Sequence, residues 1–141
     1  MLSNMKKISL ILLLISFPIM FLHSSPLIEY LWKNRIVVTF SPSKNNPKRS
    51  YFLNSINKNL CEFNSRNIIH IDLIFNEKNQ EIEKFEGSFE KLSLSTSEFR
   101  LILIGKDGGI KLNSRRISLE EIFSLIDTMP MRQEEMLKDK C

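Results

Sequence analysis

The chain contains no alanine, and in 141 residues it has only four glycines, five prolines and two cysteines. So little Gly and Pro, with 43% hydrophobic and 26% charged residues, excludes wholesale disorder. The missing alanine beside abundant Ile, Asn and Lys reads as base-composition bias, so single residue choices say less than usual. No Cys-x-x-Cys occurs, which excludes dithiol exchange by the usual thioredoxin mechanism. No basic run interleaved with aromatics occurs, which argues against a nucleic-acid partner. The length leaves room for one domain, not two.

One long apolar run is present, at the start. Lys6 and Lys7 precede Ile8 to Leu22, which is apolar apart from Ser9, Ser16 and Pro18; His23, Ser24 and Ser25 follow. A basic n-region, an apolar stretch and small residues have the layout of a secretory signal peptide. Cleavage is expected after Ser24, because cutting one residue later would leave Pro26 first. The run is shorter than the ~20 residues of a spanning helix, so a retained anchor is the lesser reading. No cysteine lies near the boundary, so the chain does not look like a lipoprotein. The expected organisation is a signal peptide over 1–24 and one domain over 25–141. The product is exported to the periplasm or fully secreted, with no membrane span after cleavage. Removing Lys6 and Lys7 lowers the net charge from +4 to +2, so the basic pI says little about partners. Opposed charge blocks, basic over 25–72 and acidic over 77–98, read as solvated faces.

Pro26 to Trp32 is a short amphipathic start, about one helical turn. Arg35 to Phe40 concentrates β-branched residues and suits a strand buried on both faces. Ser41 to Arg49 is a loop by composition. Phe52, Leu53, Ile56, Leu60 and Phe63 make one stripe of a helix over Tyr51 to Arg66, with Cys61 off the stripe. Ile68 to Phe75 is the second strand, its Ile69, Ile71, Leu73 and Phe75 on one face. Residues 76–98 are weakly patterned, with a short helix possible near Ser88 to Leu92. Phe99 to Ile104 and Ile110 to Leu112 form a hairpin around Gly105-Lys-Asp-Gly-Gly109. Ser118 and Glu121 make a capping box ahead of the stripe Leu119, Ile122, Phe123, Ile126 and Met129. Pro130 should end or kink that helix, and a short helix through Met136 follows. The order predicts an α/β, thioredoxin-like βαβ…ββα fold: a four-stranded mixed sheet with helices on both faces.

Gly105 to Leu112 and Ile126 to Met136, with Leu27, Trp32, Asn34-Arg35 and Phe40 upstream, resemble the bacterial "domain of unknown function 4174" family. The match spans essentially all of the mature chain. The resemblance implies an exported thioredoxin-like domain. Related domains occur in animal matrix and sushi-repeat proteins, with adhesion or peroxiredoxin-like roles proposed for them. The resemblance carries no catalytic residue over.

The residues themselves offer few chemical candidates. The segment after Phe40, where a thioredoxin thiol would sit, reads Ser41-Pro-Ser-Lys44, and no proline stands at Thr96 to Glu98 before the third strand. Cys61 is the remaining redox candidate. Three turns into the predicted helix, it lies far from the helix start that would lower its pKa, and an incidental cysteine is the simpler reading. Pairing of Cys61 with Cys141 stays open, because the last residue is prone to fray. Lys106, Asp107, Gly108, Gly109 and Lys111 form a hairpin turn first and an anion contact second; Arg115 and Arg116 follow closely, and Arg132 joins the candidates. It is not a Walker A loop, which needs GxxxxGK[ST]. His70 and Asp72 share a strand face, but no third ligand is placed, so neither metal nor cofactor is expected. Met129, Met131 and Met136 read as adaptable contacts or core filler, and Asp127 and Arg132 as a pair at a helix end. The expected function is a non-catalytic exported binding module for an unknown protein or anionic ligand. The alternative is an atypical, peroxiredoxin-like thiol enzyme using Cys61.

Overall fold

The structure is a computed structural model that describes residues 27–75, 97–138 and 141. Its frame is a four-stranded sheet of β1 (Arg35–Ser41), β2 (Ile68–Ile74), β3 (Arg100–Ile104) and β4 (Ile110–Ser114), in the order β2-β1-β3-β4. β1 runs parallel to β2 and antiparallel to β3, and β3 pairs antiparallel with β4. Every residue of β1 is buried, as its β-branched run predicts for a central strand. A register shift at Leu103/Ile104 marks a bulge beside the hairpin turn.

Strand alternation sorts the core into two layers. Val37, Ile68, Leu101 and Leu103 meet the helices, through Phe52, Ile56, Phe63, Leu119, Ile122 and Ile126. Ile36, Val38, Phe40, Ile71, Leu73, Ile102 and Ile104 form the other layer, with Leu27 and Tyr30 packed against it. Leu27 and Tyr30 belong to a short 3-10 turn at Ile28–Tyr30. Trp32, just beyond, has a left-handed backbone (φ 63°) and donates its N–H to the Lys106 carbonyl at 2.7 Å. The short helix read near Ser88 to Leu92 lies outside the described residues. Phe75, placed by its spacing on the same face, is largely exposed at the strand end.

The predicted 51–66 helix is two helices. The first, α1 (Pro47–Lys58), starts four residues early. Asn46 caps it, its side chain accepting from the Lys48 and Arg49 amides, and Pro47 suits the first helical position, where its missing N–H costs nothing. The break falls at Asn59, whose side chain donates to the Ser55 carbonyl at 2.8 Å and whose amide makes a tight bond to the Ile56 carbonyl. A second helix, α2 (Leu60–Ser65), follows. The break rotates Leu60 off the apolar stripe, and it is about half exposed. It also puts Cys61 in the first turn of α2, not three turns into a long helix.

The C-terminal half follows its sequence signals closely. Gly108 takes φ 79° in the hairpin turn, and its missing Cβ leaves room for the Leu31 side chain. Ser118 Oγ accepts from the Glu121 amide at 3.0 Å and starts α3 (Leu119–Asp127). Leu119, Ile122 and Ile126 are its buried stripe. The chain turns at Thr128 and Met129, and Pro130 opens α4 (Pro130–Met136) instead of only ending α3.

Cys61 and Cys141 form a disulfide across 80 residues of sequence, their Cα atoms 6.0 Å apart. The expectation of a frayed last residue therefore fails. Closing so long a loop in the unfolded chain stabilises the fold by about 4 kcal/mol on the chain-entropy account. Cys61→Ser should lower the midpoint of thermal unfolding by at least several degrees. Dithiothreitol should lower the wild-type midpoint to the same value and leave the variant unchanged.

Candidate functional site

Where β1 and β2 end and α1 begins, the polar side chains of three elements converge. The parallel register sets Thr39 opposite Asp72 and Val37 opposite His70. Alternation sends Thr39, His70 and Asp72 toward α1, where the Phe52 ring meets the imidazole edge-on at 5.4 Å. Arg49, on the first turn of α1, reaches back to the same group.

The hydrogen bonds determine the protons. Thr39 Oγ1 lies 2.8 Å from His70 Nε2 and 3.1 Å from Asp72 Oδ1. A hydroxyl has one proton, and an ionised carboxylate only accepts. Thr39 therefore donates to Asp72 and accepts from His70, which carries its proton on Nε2. Asp72 Oδ2 accepts from Arg49 Nε at 2.8 Å and Nη2 at 2.6 Å, and Arg49 Nη1 donates to the Lys44 carbonyl at 3.0 Å. Burial pushes the His70 pKa below its ordinary 6.5; the Asp72 charge opposes this and the Arg49 charge adds to it. His70 is thus neutral at pH 7. Two residues past Thr39 on the same strand face, Ser41 Oγ is buried with no partner among the described residues.

This cluster holds β1, β2 and α1 together, and it leaves His70 Nδ1 without a hydrogen bond among the described residues. Asp72 is fully engaged and is no free base. Among the described residues no group of three or more His, Cys, Asp or Glu could hold a metal. The His70–Asp72 juxtaposition expected from spacing is therefore real, with Thr39 as the third member.

The candidates expected around the hairpin are committed to internal bonds. Lys106 Nζ pairs with Glu135 at 2.7 Å, and Lys111 Nζ with Asp107 at 2.6 Å. Asp107 also accepts from the Gly109 amide at 3.1 Å. Bonds from Lys111 and Gly109 hold its carboxyl below the usual range. Arg132 is buried, donating to Asp127 at 3.1 Å and to the Ser65 carbonyl at 2.9 Å, the pairing its sequence position suggested. Met129 packs on the core, while Met131 and Met136 are exposed. Arg115 and Arg116, close in sequence, lie at the opposite end of β4. There Arg115 pairs with Glu98, and its carbonyl accepts from Lys48 Nζ at 3.0 Å.

Two partners escaped the sequence reading. Arg35 is 1% exposed and donates to Glu135 at 2.9 Å and to the Arg66 carbonyl at 2.8 Å, with its Nε unpartnered among the described residues. Arg66 pairs with Asp127 at 2.6 Å and with Glu62, and its guanidinium sits 4.3 Å from the Phe123 ring centre. A lone arginine opening an apolar strand was the available signal. Burial pulls the Asp127 and Glu135 pKa values up, but the arginine and lysine bonds outweigh it and hold both carboxyls below their usual range.

Cys61, the redox candidate, is exposed and disulfide-bonded, so neither of the chain's two cysteines is a free thiol. It lies in α2, beyond the break at Asn59, and not at the start of α1 beside the Thr39 cluster. No residue between β1 and α1 is a cysteine, and the described residues contain no cis peptide.

Two predictions follow from the titrating groups. Glu135→Gln leaves Arg35 buried without its anion and should cost about 3 kcal/mol in urea unfolding at pH 7. Because the Glu135 pKa is depressed in the fold, its contribution is complete above the ordinary 4.5 and lost as pH falls through the folded value. The variant should therefore lose less stability than wild type on acidification below pH ~4.5. His70 is depressed in the opposite charge sense. Below its ordinary 6.5 the unfolded chain binds a proton the folded one refuses, so stability falls with pH down to the folded value. His70→Gln should flatten that decline below about pH 6.5, read from urea midpoints.

No curated protein matches the chain. Among solved structures it is similar to the reduced 2-Cys peroxiredoxin of Plasmodium vivax, at 15% identity and TM-score 0.54 over 75% of this chain and 83% of that one. It is also similar to thioredoxin peroxidase I of Plasmodium yoelii, at 17% identity and TM-score 0.50, over 80% of this chain and 81% of that one. At such identity the likeness is one of fold, and the fold is thioredoxin-like. The family described as "Domain of unknown function (DUF4174)" matches residues 26–135, and the chain belongs to it.

Proposed function

We propose that this chain is an exported thioredoxin-like module that binds a partner and carries out no thiol chemistry. The observation that carries the reading is that both cysteines are tied in one disulfide, remote from the helix start where this fold usually presents a reactive thiol. A disulfide suits an oxidising compartment, periplasmic or extracellular, which agrees with the signal-peptide layout of residues 1–24. Among the described residues no helix is long and apolar enough to cross a membrane. The partner is an unidentified protein or an anionic ligand. Around the hairpin, Asp107 and Gly108 are exposed and suited to contact, whereas Lys106 and Arg132 are engaged internally.

Two observations support the alternative, a thiol-dependent redox enzyme using Cys61: peroxiredoxins share the fold, and both bonded cysteines are exposed. Peroxide consumption separates the readings. Residues 25–141, reduced by dithiothreitol or by a thioredoxin system, should consume hydrogen peroxide no faster than Cys61→Ser does. Turnover that disappears in Cys61→Ser would establish the enzyme and sink the binding module.

A further inference from the structure

The end of the sheet beyond Thr39 carries its charge in an unusual place. A helix N-terminus is the positive end of its dipole and favours acidic neighbours. The first turn of α1 has none; it holds Lys48 and Arg49, with Lys44 just before the cap. Lys48 Nζ donates to the Arg115 carbonyl, which draws a fourth cation alongside. Arg116 follows it. Against these five cations stand Asp72, paired with Arg49, and Glu98, paired with Arg115 at an exposed site. Among the described residues, the cations at this helix start outnumber the carboxylates paired with them. The acids Glu120 and Glu121 serve the first turn of the neighbouring α3. Lys44, Lys48 and Arg116 have no carboxylate partner among the described residues.

An independent observation points the same way. Ser41 is 1% exposed, and its hydroxyl has no partner among the described residues. A buried hydroxyl left unpaired is costly. It shares the α1 face with Thr39 by strand alternation, so it sits under the helix start where the cations gather. Arg49 is held in place from two sides, by Asp72 and by the Lys44 carbonyl, which preorganises it.

We infer that this end of the sheet binds a tetrahedral oxyanion, the terminal group of a phosphate or sulfate monoester, through Lys48, Arg49 and Ser41, with Lys44 and Arg115 supplying field. This names a ligand class for the binding module proposed above and rests on that reading. Such a ligand would neutralise the excess charge and accept from the Ser41 hydroxyl.

The test is amide chemical-shift titration of the disulfide-intact protein, at constant ionic strength, with inorganic sulfate and separately with inorganic phosphate. Saturable shifts should be confined to residues 41–50 and 114–118. Lys48→Glu should weaken binding about tenfold and Ser41→Ala by a few fold, each with an otherwise unchanged spectrum. Inorganic phosphate, mostly a dianion at pH 7.5 and a monoanion at pH 5.5, should bind more weakly at the lower pH, relative to sulfate at the same two pH values. Shifts that grow without saturating, that appear equally at Lys106, Lys111 and Lys138, or that persist unchanged in Lys48→Glu would overturn the site. That failure would leave the peroxide result, and with it the non-enzymatic reading, untouched.

Discussion

A buried guanidinium at the start of the central strand organises this molecule. Arg35 opens β1 and is shielded from water, and its charge is balanced by Glu135, a hundred residues later. Burying a charge is tolerable only when it is paired and hydrogen-bonded, so the fold is complete only when α4 has returned to the strand it serves. Arg35 also bonds the carbonyl of Arg66, the residue that links α2 to β2. Glu135 in turn holds Lys106 of the hairpin. One ion thus connects the first strand, the helical connection, the hairpin and the last helix.

Around it a second group of charges closes the same end of the sheet. Arg66 and Arg132 share Asp127, and Arg132 reaches the Ser65 carbonyl. The 3-10 turn docks on the hairpin through the Trp32 amide, and the disulfide joins the last residue to α2. Much of the sequence that carries the family resemblance, Arg35, the Lys106 turn, Asp127, Arg132 and Glu135, lies in this closed end. Those residues are bonded to one another there.

The opposite end is built differently. There the strands finish under the start of α1, and Thr39, His70, Asp72 and Arg49 form a smaller polar cluster beside surface cations that have no carboxylate partner among the described residues. In open α/β sheets ligands bind outside the carboxyl ends of the strands. The two cysteines lie away from that end and are joined to each other in a crosslink.

Local signals in the sequence determined the elements. The β-branched run of Arg35 to Phe40, the glycine turn, the Ser118 cap and Pro130 each act within a few residues, and each sits where those residues place it. The weaker signals failed where a polar side chain competed with the pattern: Asn46 started α1 early, and Asn59 broke it. The Thr39–His70–Asp72 group was half legible, because alternation put His70 and Asp72 on one face while only the parallel register brought Thr39 to them. For Lys106 the sequence shows a charge but not the partner, Glu135, that holds it. Pairing across 29 or 100 residues, the Cys61–Cys141 bond, and the separation of Lys106 from Arg115 along β4 were decided by tertiary structure alone. Electrostatic and covalent partners are matters of distance in space, and no local periodicity encodes them.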